Sequence, residues 1–168
     1  MQLPESKIEK AAPTNDVRYY LNGIYHDKDQ NVVVATNGSI LARIPAVDND
    51  DDHTGIIPLD AVKDARKQSK HEPKITINGA ANTINGASYP LIDGKYPDYL
   101  RVIPDIEPGQ PATITLNAKL LHELAQAISN NPKNMEVSIW ITDKNSAMQV
   151  KSTNSPENLG VIMPCRDQ

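Results

Sequence analysis

Short apolar stretches separated by polar turns dominate the first third of the chain and predict β-strands. Residues 17–25 and 31–44 are rich in β-branched and aromatic side chains, and the polar residues 26–30 between them indicate a hairpin loop. Residues 6–12 predict a short helix that Pro13 ends. The acidic run at residues 48–52 predicts a solvated connection.

Two later stretches repeat an order of strand, helix and several strands. The second predicts a strand at 55–58, a helix at 59–70 and strands at 74–78, 81–85 and 88–92, with Asn-Gly turns at 78–79 and 85–86. The third predicts a strand at 112–116, a helix from the N-cap Asn117 to about 129 and strands at 136–142, 147–151 and 160–163. We therefore predict three copies of one supersecondary unit, at roughly 1–50, 55–104 and 110–168.

Composition agrees with a globular protein that has a sheet-rich core. The chain has 168 residues and 18.4 kDa, 39% of them hydrophobic, with no Phe, one Trp and six Tyr. Its single cysteine, Cys165, excludes a disulfide framework or a zinc cluster built from cysteines. No apolar run approaches a membrane span and no secretory signal is visible, so we expect a soluble, cytoplasmic protein.

The charge balance bears on nucleic-acid binding. The net charge is -4, so the molecule as a whole would not attract DNA and any contact must come from a local basic face. The second predicted helix offers one, because Lys63, Arg66, Lys67 and Lys70 recur at intervals of three or four residues. A solvated helix face has the same pattern, so both interpretations remain open.

No catalytic pattern emerges from the sequence. His53 follows Asp50, Asp51 and Asp52, but adjacent side chains in a loop do not converge on a metal without a scaffold. Metal-ligand spacing, a nucleophile elbow and a phosphate-binding loop are not found. We therefore expect no catalytic residues, no metal site, no cofactor and no enzyme activity.

Four strings, in order along the chain, resemble the bacterial DNA polymerase III beta subunit family, the replicative sliding clamps. They are VRYYLNG at 17–23, VATNGSILA at 34–42, DGKYPDYLRVIP at 93–104 and VIMPCR at 161–166. The first three resemble the middle domain of a clamp and its linker to the last domain. The fourth resembles the C-terminal tail, with Cys165 where the family often has Met.

The resemblance implies an α+β DNA-clamp fold of three repeated strand-helix-strand half-units, with helices on one face and antiparallel sheets on the other. Residues 1–104 would form a clamp domain of two half-units with its linker. Residues 105–168 would form a single half-unit like the second half of the clamp's last domain. The first clamp domain has no counterpart, and three half-units is an odd number where full clamps have an even one.

The resemblance also implies a hydrophobic pocket that receives a short linear peptide from partner proteins. Carried over by position, the pocket residues are Leu21, Thr36, Gly38, Leu41, Pro97, Arg101, Val102, Val161, Met163, Pro164, Cys165 and Arg166. Asn37, Ser39 and Ile40 replace more strongly charged or polar family residues at the rim. Composition alone favours ordinary core residues near joins between units, and the resemblance favours the pocket.

Helices that line a DNA channel are a further implication of the resemblance. The basic residues on the three predicted helices that could face DNA are Lys7, Lys10, Lys63, Arg66, Lys67, Lys70 and Lys119. Such contacts would go to phosphates of double-stranded DNA and would not depend on sequence.

The function implied is that of a non-enzymatic processivity factor. It would tether polymerase, clamp-loader or repair proteins that carry a clamp-binding motif to DNA, and it would be a homo-oligomer without membrane contact. The alternative is a clamp-like module that does not encircle DNA and instead binds or sequesters proteins carrying that motif. A ring needs complementary sheet edges on each chain, whereas the module needs blunted edges, a role open to the acidic run at 48–52.

Overall fold

The chain folds into two antiparallel sheets with two α-helices, as a computed structural model describes for residues 1–3, 6–47, 52–68, 75–78, 81–104, 114–131 and 133–165. The strands are β1 (Gln2–Leu3), β2 (Gly23–Asp27), β3 (Val32–Thr36), β4 (Ile40–Pro45), β5 (Gly55–Pro58), β6 (Ile75–Asn78), β7 (Thr83–Ile84), β8 (Ala87–Ser88), β9 (Val137–Trp140), β10 (Met148–Ser152) and β11 (Ser155–Ile162). The helices are α1 (Leu59–Gln68) and α2 (Ala118–Ile128). Short 3-10 turns lie at Ile8–Lys10, Tyr19–Leu21 and Tyr99–Val102.

The large sheet joins the first and third repeats. Its seven strands run in the order β5-β2-β3-β4-β11-β10-β9, and every pairing is antiparallel. The join is the ladder between β4 and β11, which places Leu41 opposite Val161 and Ile40 opposite Ile162. Strands about 110 residues apart in the sequence therefore form one continuous sheet.

The first and second repeats exchange their leading strands. β1, from the first repeat, pairs with β6 of the second and caps the small sheet, which has the order β1-β6-β7-β8. β5, from the second repeat, pairs with β2 of the first and caps the large sheet. Each of these two repeats thus completes the sheet of the other.

Helix α2 has the start that its sequence predicts. The side chain of Asn117 accepts hydrogen bonds from the backbone N–H groups of Lys119 and Leu120, as an N-cap does. The helix predicted over 6–12 is instead a single 3-10 turn at Ile8–Lys10. Seven residues ahead of a proline are too few to repay the cost of nucleating an α-helix.

Apolar residues fill both faces of the large sheet. On the helix side, Ile24, Val33 and Ile162 join α1, α2 and the turn at Ile8–Lys10 in the main core. On the other side, Val34, Leu41 and Val161 pack under the segment 89–104, here called the linker. Because neighbouring strand residues alternate between these clusters, the continuous apolar runs of the sequence are strands buried on both faces.

Several predicted boundaries need correction. The predicted strand 17–25 begins as the 3-10 turn Tyr19–Leu21 and becomes extended only at β2. The described part of the predicted strand 112–116, residues 114–116, is not assigned to a strand. Residues 48–51 of the acidic run lie outside the described residues, but Asp52 is 2% exposed and forms an ion pair with the amino group of Met1. That carboxylate is buried and paired, not solvated.

The predicted α+β architecture is confirmed, with helices on one side and antiparallel sheets beneath them. The division into domains at residue 104 stays a prediction. Within the part of the chain that the structure describes, no helix has the length and apolar character needed to cross a membrane.

Candidate functional site

An apolar cavity of about 230 Å³ lies between the linker and the large sheet, on the side opposite the helices. Its walls come from the first repeat, the linker and the third repeat. The residues that line it are Arg18, Leu21, Thr36, Gly38, Ser39, Ile40, Leu41, Pro97, Asp98, Tyr99, Val102, Ala147, Val161 and Met163. The cavity therefore exists only where the β4–β11 ladder brings the first and third repeats together.

The floor of the cavity is a cross-strand pair. Leu41 on β4 lies directly opposite Val161 on β11, and Leu21 joins them in the same buried cluster. Two apolar side chains at the mouth remain largely in solvent: Met163 is 47% exposed and Val102 is 51% exposed. A buried apolar floor with exposed apolar residues at its entrance suits the insertion of an apolar side chain from a partner. The flexible Met side chain can pack against partner side chains of different shapes.

A tight turn between β3 and β4 forms one rim. The Asn37 side chain accepts hydrogen bonds from the backbone N–H groups of Ser39 (2.9 Å) and Ile40 (3.0 Å), and the Thr36 hydroxyl donates to the Ile40 carbonyl (2.6 Å). Gly38 has a φ of 91°, a left-handed conformation that favours glycine. Side chain-to-backbone bonds thus fix the rim without a strongly charged side chain at its tip.

An ion pair borders the cavity beside this turn. The Arg18 guanidinium donates to both carboxylate oxygens of Asp16, at 2.9 and 2.7 Å, and reaches the Asn37 carbonyl at 3.3 Å. Those bonds lower the pKa of Asp16 to about 2. A Cβ added at Gly38 would lie about 3.1 Å from the Arg18 guanidinium, so the glycine also leaves room for Arg18.

Tyrosines hold the linker against the sheet. The rings of Tyr25 on β2 and Tyr96 in the linker stack with centroids 4.7 Å apart. The Tyr99 hydroxyl donates to the Asp27 carboxylate at 2.9 Å, and burial together with that bond raises the pKa of Tyr99 to about 12. At the far end, the Gln149 amide donates to the Pro104 carbonyl at 2.6 Å. The linker wall of the cavity is therefore anchored to both the first and the third repeat.

Most of the sequence-predicted pocket residues lie together in this cavity. Those that line it are Leu21, Thr36, Gly38, Leu41, Pro97, Val102, Val161 and Met163. Arg101, Pro164 and Cys165 do not line it, and the Cys165 thiol is exposed. Arg166 lies outside the described residues.

Sequence reasoning missed four lining residues. Arg18, Asp98 and Tyr99 stand inside the strings that carry the family resemblance, next to residues that were selected, so closer attention to those strings could have found them. Ala147 carries no signal in the sequence. It reaches the cavity because it immediately precedes β10, which the sheet places beside β11.

The predicted DNA-facing residues lie on the helix side, away from the cavity. Lys7, Lys10, Lys67 and Lys119 are exposed and Lys63 is half-buried, while Lys70 lies outside the described residues. Arg66 is engaged with the first repeat: its Nε lies 3.4 Å from the Glu9 carboxylate and its Nη2 donates to the Ser6 carbonyl at 2.8 Å.

The face of α1 is less basic than its sequence suggested. The Lys67 ammonium pairs with Asp64 at 2.8 Å, and Asp60 adds a second carboxylate to the same helix. Because Arg66 also contacts Glu9, much of the positive charge of this helix is balanced locally.

The histidine and acidic residues that drew attention in the sequence do not assemble into a site. His26 is buried in β2, and its Nδ1 lies 2.8 Å from the carbonyl oxygen of His53. The His53 side chain is exposed, whereas neighbouring Asp52 is buried against the Met1 amino group. Among the described residues, no group of three or more His, Cys, Asp or Glu side chains could hold a metal ion.

The chain is similar in sequence to bacterial beta sliding clamps. It is 30% identical over 171 aligned positions to the beta sliding clamp of Buchnera aphidicola, covering 91% of this chain and 44% of that protein. It is 32% identical over 121 residues to the beta sliding clamp of Pseudomonas putida, covering 61% of this chain and 33% of that protein. The chain thus spans between a third and a half of these relatives. No family model matches it.

Solved clamp structures share the fold. The DNA polymerase III beta subunit of Borrelia burgdorferi, in complex with a natural product, superposes with a TM-score of 0.69 at 15% identity, covering 100% of this chain and 64% of that one. The sliding clamp of Bartonella birtlesii, bound to griselimycin, gives a TM-score of 0.65 at 22% identity, covering 99% and 66%. The resemblance and the clamp fold predicted from the four strings are confirmed.

Proposed function

We propose that this chain, a relative of the bacterial beta sliding clamps, is a clamp-like processivity factor for DNA replication. In this role it tethers polymerase, clamp-loader or repair proteins to DNA by binding a short linear motif of the partner. The role is not catalytic. It uses the apolar cavity for the partner and the helix side for DNA, so the two ligands occupy opposite faces of the large sheet.

The observation that supports this proposal best is the composition of the cavity. Residues from three separated parts of the chain meet around one apolar floor, and the pair Leu41 and Val161 forms that floor in direct register. An extended peptide could place an apolar side chain on this floor. Each contact is weak, and affinity comes from filling the cavity.

Tethering works through effective concentration. A polymerase held beside DNA by a flexible motif rebinds the template far more often than one that diffuses from bulk solution. The protein needs only to stay on DNA and to hold the motif. Sequence-independent contacts to phosphates suit the first task, because they do not fix the protein at one position.

Peptide binding is the direct test of the cavity. A fluorescein-labelled peptide that carries the clamp-binding motif of a polymerase should bind the parent protein in an anisotropy titration. Met163→Glu and Val102→Glu place a carboxylate at the mouth without disturbing the buried floor, since both side chains are about half exposed. We expect each to weaken the peptide at least about tenfold, which corresponds to about 1.4 kcal/mol.

A matched control separates cavity effects from a general effect of charge. Val47 is 68% exposed and does not line the cavity, so Val47→Glu adds the same charge to another exposed valine position. We expect unchanged peptide affinity for this variant. Equal losses for Val47→Glu and Met163→Glu, or no loss for either, would remove the cavity as the peptide site.

DNA association is the second part of the proposal, and the exposed lysines of the helix side are its candidates. Lys7→Glu, Lys63→Glu and Lys119→Glu together should reduce anisotropy-detected binding to a double-stranded oligonucleotide at low salt, and binding by the parent should fall steeply as salt increases. Arg66 is left intact because its contacts with Glu9 and Ser6 hold the first repeat against α1. Lys144→Glu, in the exposed turn before β10, is the control.

A second function is favoured by the charge balance of α1. Because Arg66 and Lys67 both contact carboxylates, the helix side attracts phosphates weakly. A clamp-like module that binds or sequesters motif-carrying proteins without encircling DNA needs only the cavity. Peptide binding that depends on Met163, combined with no DNA binding at low salt, would favour this module over the processivity factor.

A further inference from the structure

The sheet of the third repeat has an uncapped strand at a position where the sheets of the other two repeats have a capping strand. In the first repeat, β5 pairs with the outer edge of β2; in the second, β1 pairs with the outer edge of β6. The equivalent leading strand of the third repeat's own sheet is β9, which pairs with β10 on one side. Within the described residues, no strand pairs with its other side.

The backbone of β9 presents its hydrogen-bonding groups to this open edge. The Glu136 carbonyl accepts a hydrogen bond from the Thr153 N–H, at the end of the β9–β10 ladder. Because backbone groups alternate in direction along a strand, those of Ser138 and Trp140 also point towards β10. Those of Val137 and Ile139 therefore point away from β10, towards the open edge.

The segment before α2 occupies the position of a capping strand. Ile56 in β5 stands three residues before the first residue of α1, and its carbonyl accepts a hydrogen bond from the N–H of Ile92 at 2.9 Å. Thr115 stands three residues before the first residue of α2, and its carbonyl accepts a hydrogen bond from the N–H of Cys165 at 2.8 Å. Residues 114–116 thus share with β5 both its place before a helix and the bond on its outer side.

Burial of the strand residues shows what the open edge changes. Ile24 on β2 is fully buried and Ile77 on β6 is 1% exposed. Val137 and Ile139 on β9 remain half-buried, although they pack against the same main core. Leu120 and Leu121 on α2 and Ile114 and Leu116 before it are half-buried as well. The third repeat therefore leaves apolar surface in solvent where the paired repeats cover it.

We propose that the third repeats of two copies of this chain pair around a twofold axis and complete each other. Residues 114–116 of one copy add as an antiparallel strand to the open edge of β9 in the other copy, and the reverse pairing forms at the same time. The interface reproduces between chains the strand exchange that β1 and β5 make within the chain.

Self-complementarity identifies the partner as a second copy. The first and second repeats are two copies of one unit that exchange leading strands reciprocally, so a third copy of the unit carries both surfaces that such an exchange needs. Neither Ile114–Thr115–Leu116 nor Val137–Ser138–Ile139–Trp140 contains a charged residue. An uncharged open edge is prone to strand pairing, because lysine, proline and acidic residues are what usually prevent it.

The test uses two separate variants. Each removes one backbone N–H that would point into the proposed interface, from β9 in one variant and from residues 114–116 in the other. Val137→Pro is compatible with the isolated chain, because proline is tolerated at the start of an edge strand whose N–H faces solvent. Val137→Ala removes similar side-chain volume but keeps the N–H, so it is the matched control. Leu116→Pro acts on the other strand in the same way, keeps Thr115 extended and leaves the Thr115–Cys165 bond in place, with Leu116→Ala as its control.

Sedimentation equilibrium of the full chain gives the readout. We expect the parent to reach twice its chain mass of 18.4 kDa as concentration rises, the alanine variants to dimerise more weakly, and each proline variant to stay monomeric with a parent-like circular dichroism spectrum. A mixture of Val137→Pro and Leu116→Pro should associate partially. In that heterodimer one of the two strand pairings is intact, whereas either homodimer has both interrupted.

Other results would overturn the proposal. The proposal is overturned if the parent protein stays monomeric at every concentration. It is also overturned if the parent forms a dimer and Val137→Pro forms the same dimer. If each proline variant alone associates as strongly as the mixture does, reciprocal strand exchange is also contradicted.

Discussion

The first two repeats and the third repeat are built from the same unit but are buried to different extents. Helix α1 contributes Leu59, Val62 and Ala65 to the core with every one of them buried. Helix α2 is the more apolar helix and buries Leu124, Ala125, Ala127 and Ile128, yet Leu120 and Leu121 in its first turn remain half-buried. The difference in burial therefore lies in the first turn of α2 and not in the helix as a whole.

The two regions also differ in how they are joined to the rest of the molecule. The first and second repeats are joined by two strand exchanges, β1 on β6 and β5 on β2. The third repeat is joined to the first by the β4–β11 ladder, by the packing of α2 against β4 and the turn at Ile8–Lys10, and by backbone bonds such as that from the Lys7 N–H to the Gln126 carbonyl. The candidate peptide cavity lies at this second junction, so it depends on a sheet ladder and not on a strand exchange.

The largest expected difference concerns one strand isoleucine from each region. Ile24→Ala in β2 removes a fully buried side chain and should lower the free energy of unfolding by about 3 kcal/mol. Ile139→Ala in β9 removes a half-buried one and should cost about 1 kcal/mol in urea denaturation at low protein concentration. If third repeats pair between chains, the cost of Ile139→Ala should grow with concentration. Equal costs for both variants at low concentration would contradict the burial difference between the regions.

Two glycines probe one close contact in each region. A Cβ at Gly23 would lie 2.6 Å from the Ile57 carbonyl oxygen, a backbone atom of the exchanged strand β5. A Cβ at Gly160 would lie 2.9 Å from a terminal carbon of the buried Leu124 side chain, a side-chain atom that shifts at lower cost than a backbone atom. We expect Gly23→Ala to destabilise by about 2 kcal/mol and Gly160→Ala by about 1 kcal/mol in urea denaturation. The reverse order would mean that the junction of the first two repeats adapts more easily than the α2–β11 contact.

Local signals in the sequence predicted the elements well. Asn117 predicted the start of α2, and Asn85–Gly86 predicted the turn between β7 and β8, where both residues have positive φ values of 48° and 83°. The helix at 6–12 was wrong because a composition that allows a helix does not provide the length that stabilises one. Local patterns therefore identify elements best where a cap or turn residue marks their ends.

Strand pairing could not be predicted from these local patterns. Nothing in residues 2–3 indicates that they cap β6, and nothing in the acidic run marks Asp52 as the buried partner of the Met1 amino group. Both contacts join residues far apart in sequence, and their energy appears only after the sheets have assembled. Most cavity residues were found because the family resemblance supplied this long-range information, and Ala147 was missed because no quoted string includes it.

Polar contacts hold the linker to both regions, and removing one of them has a smaller expected effect. Tyr99→Phe removes the bond to Asp27 and should cost about 1 kcal/mol near neutral pH. The pKa of Tyr99 is raised to about 12 in the folded protein, so this contribution is complete below the ordinary value near 10 and is lost as pH rises through 12. Gln149→Ala removes the bond to Pro104 and should cost a similar amount without that alkaline dependence. Alkaline unfolding curves of the two variants test this difference. If the parent and Tyr99→Phe lose stability in parallel above pH 10, the Tyr99 hydroxyl does not make this pH-dependent contribution.

Surface carboxylates should show the smallest difference between the regions. Asp16 in the first repeat pairs with Arg18, and Asp143 in the third repeat accepts hydrogen bonds from Asn145 and Ser146; these bonds lower the pKa of each, to about 2 for Asp16. A lowered pKa contributes stability above the unfolded value and loses it as pH falls through the folded value, so both contributions are constant from pH 5 to 8. Because Asp143 is exposed and the Arg18 partner of Asp16 is 46% exposed, solvent screens both sets of contacts, and Asp16→Asn and Asp143→Asn should leave the thermal midpoint at pH 7 unchanged within error. A carboxyl ¹³C titration should place Asp16 near 2, and a clear loss of stability in one variant alone would mean that the regions differ at their surfaces as well as in their cores.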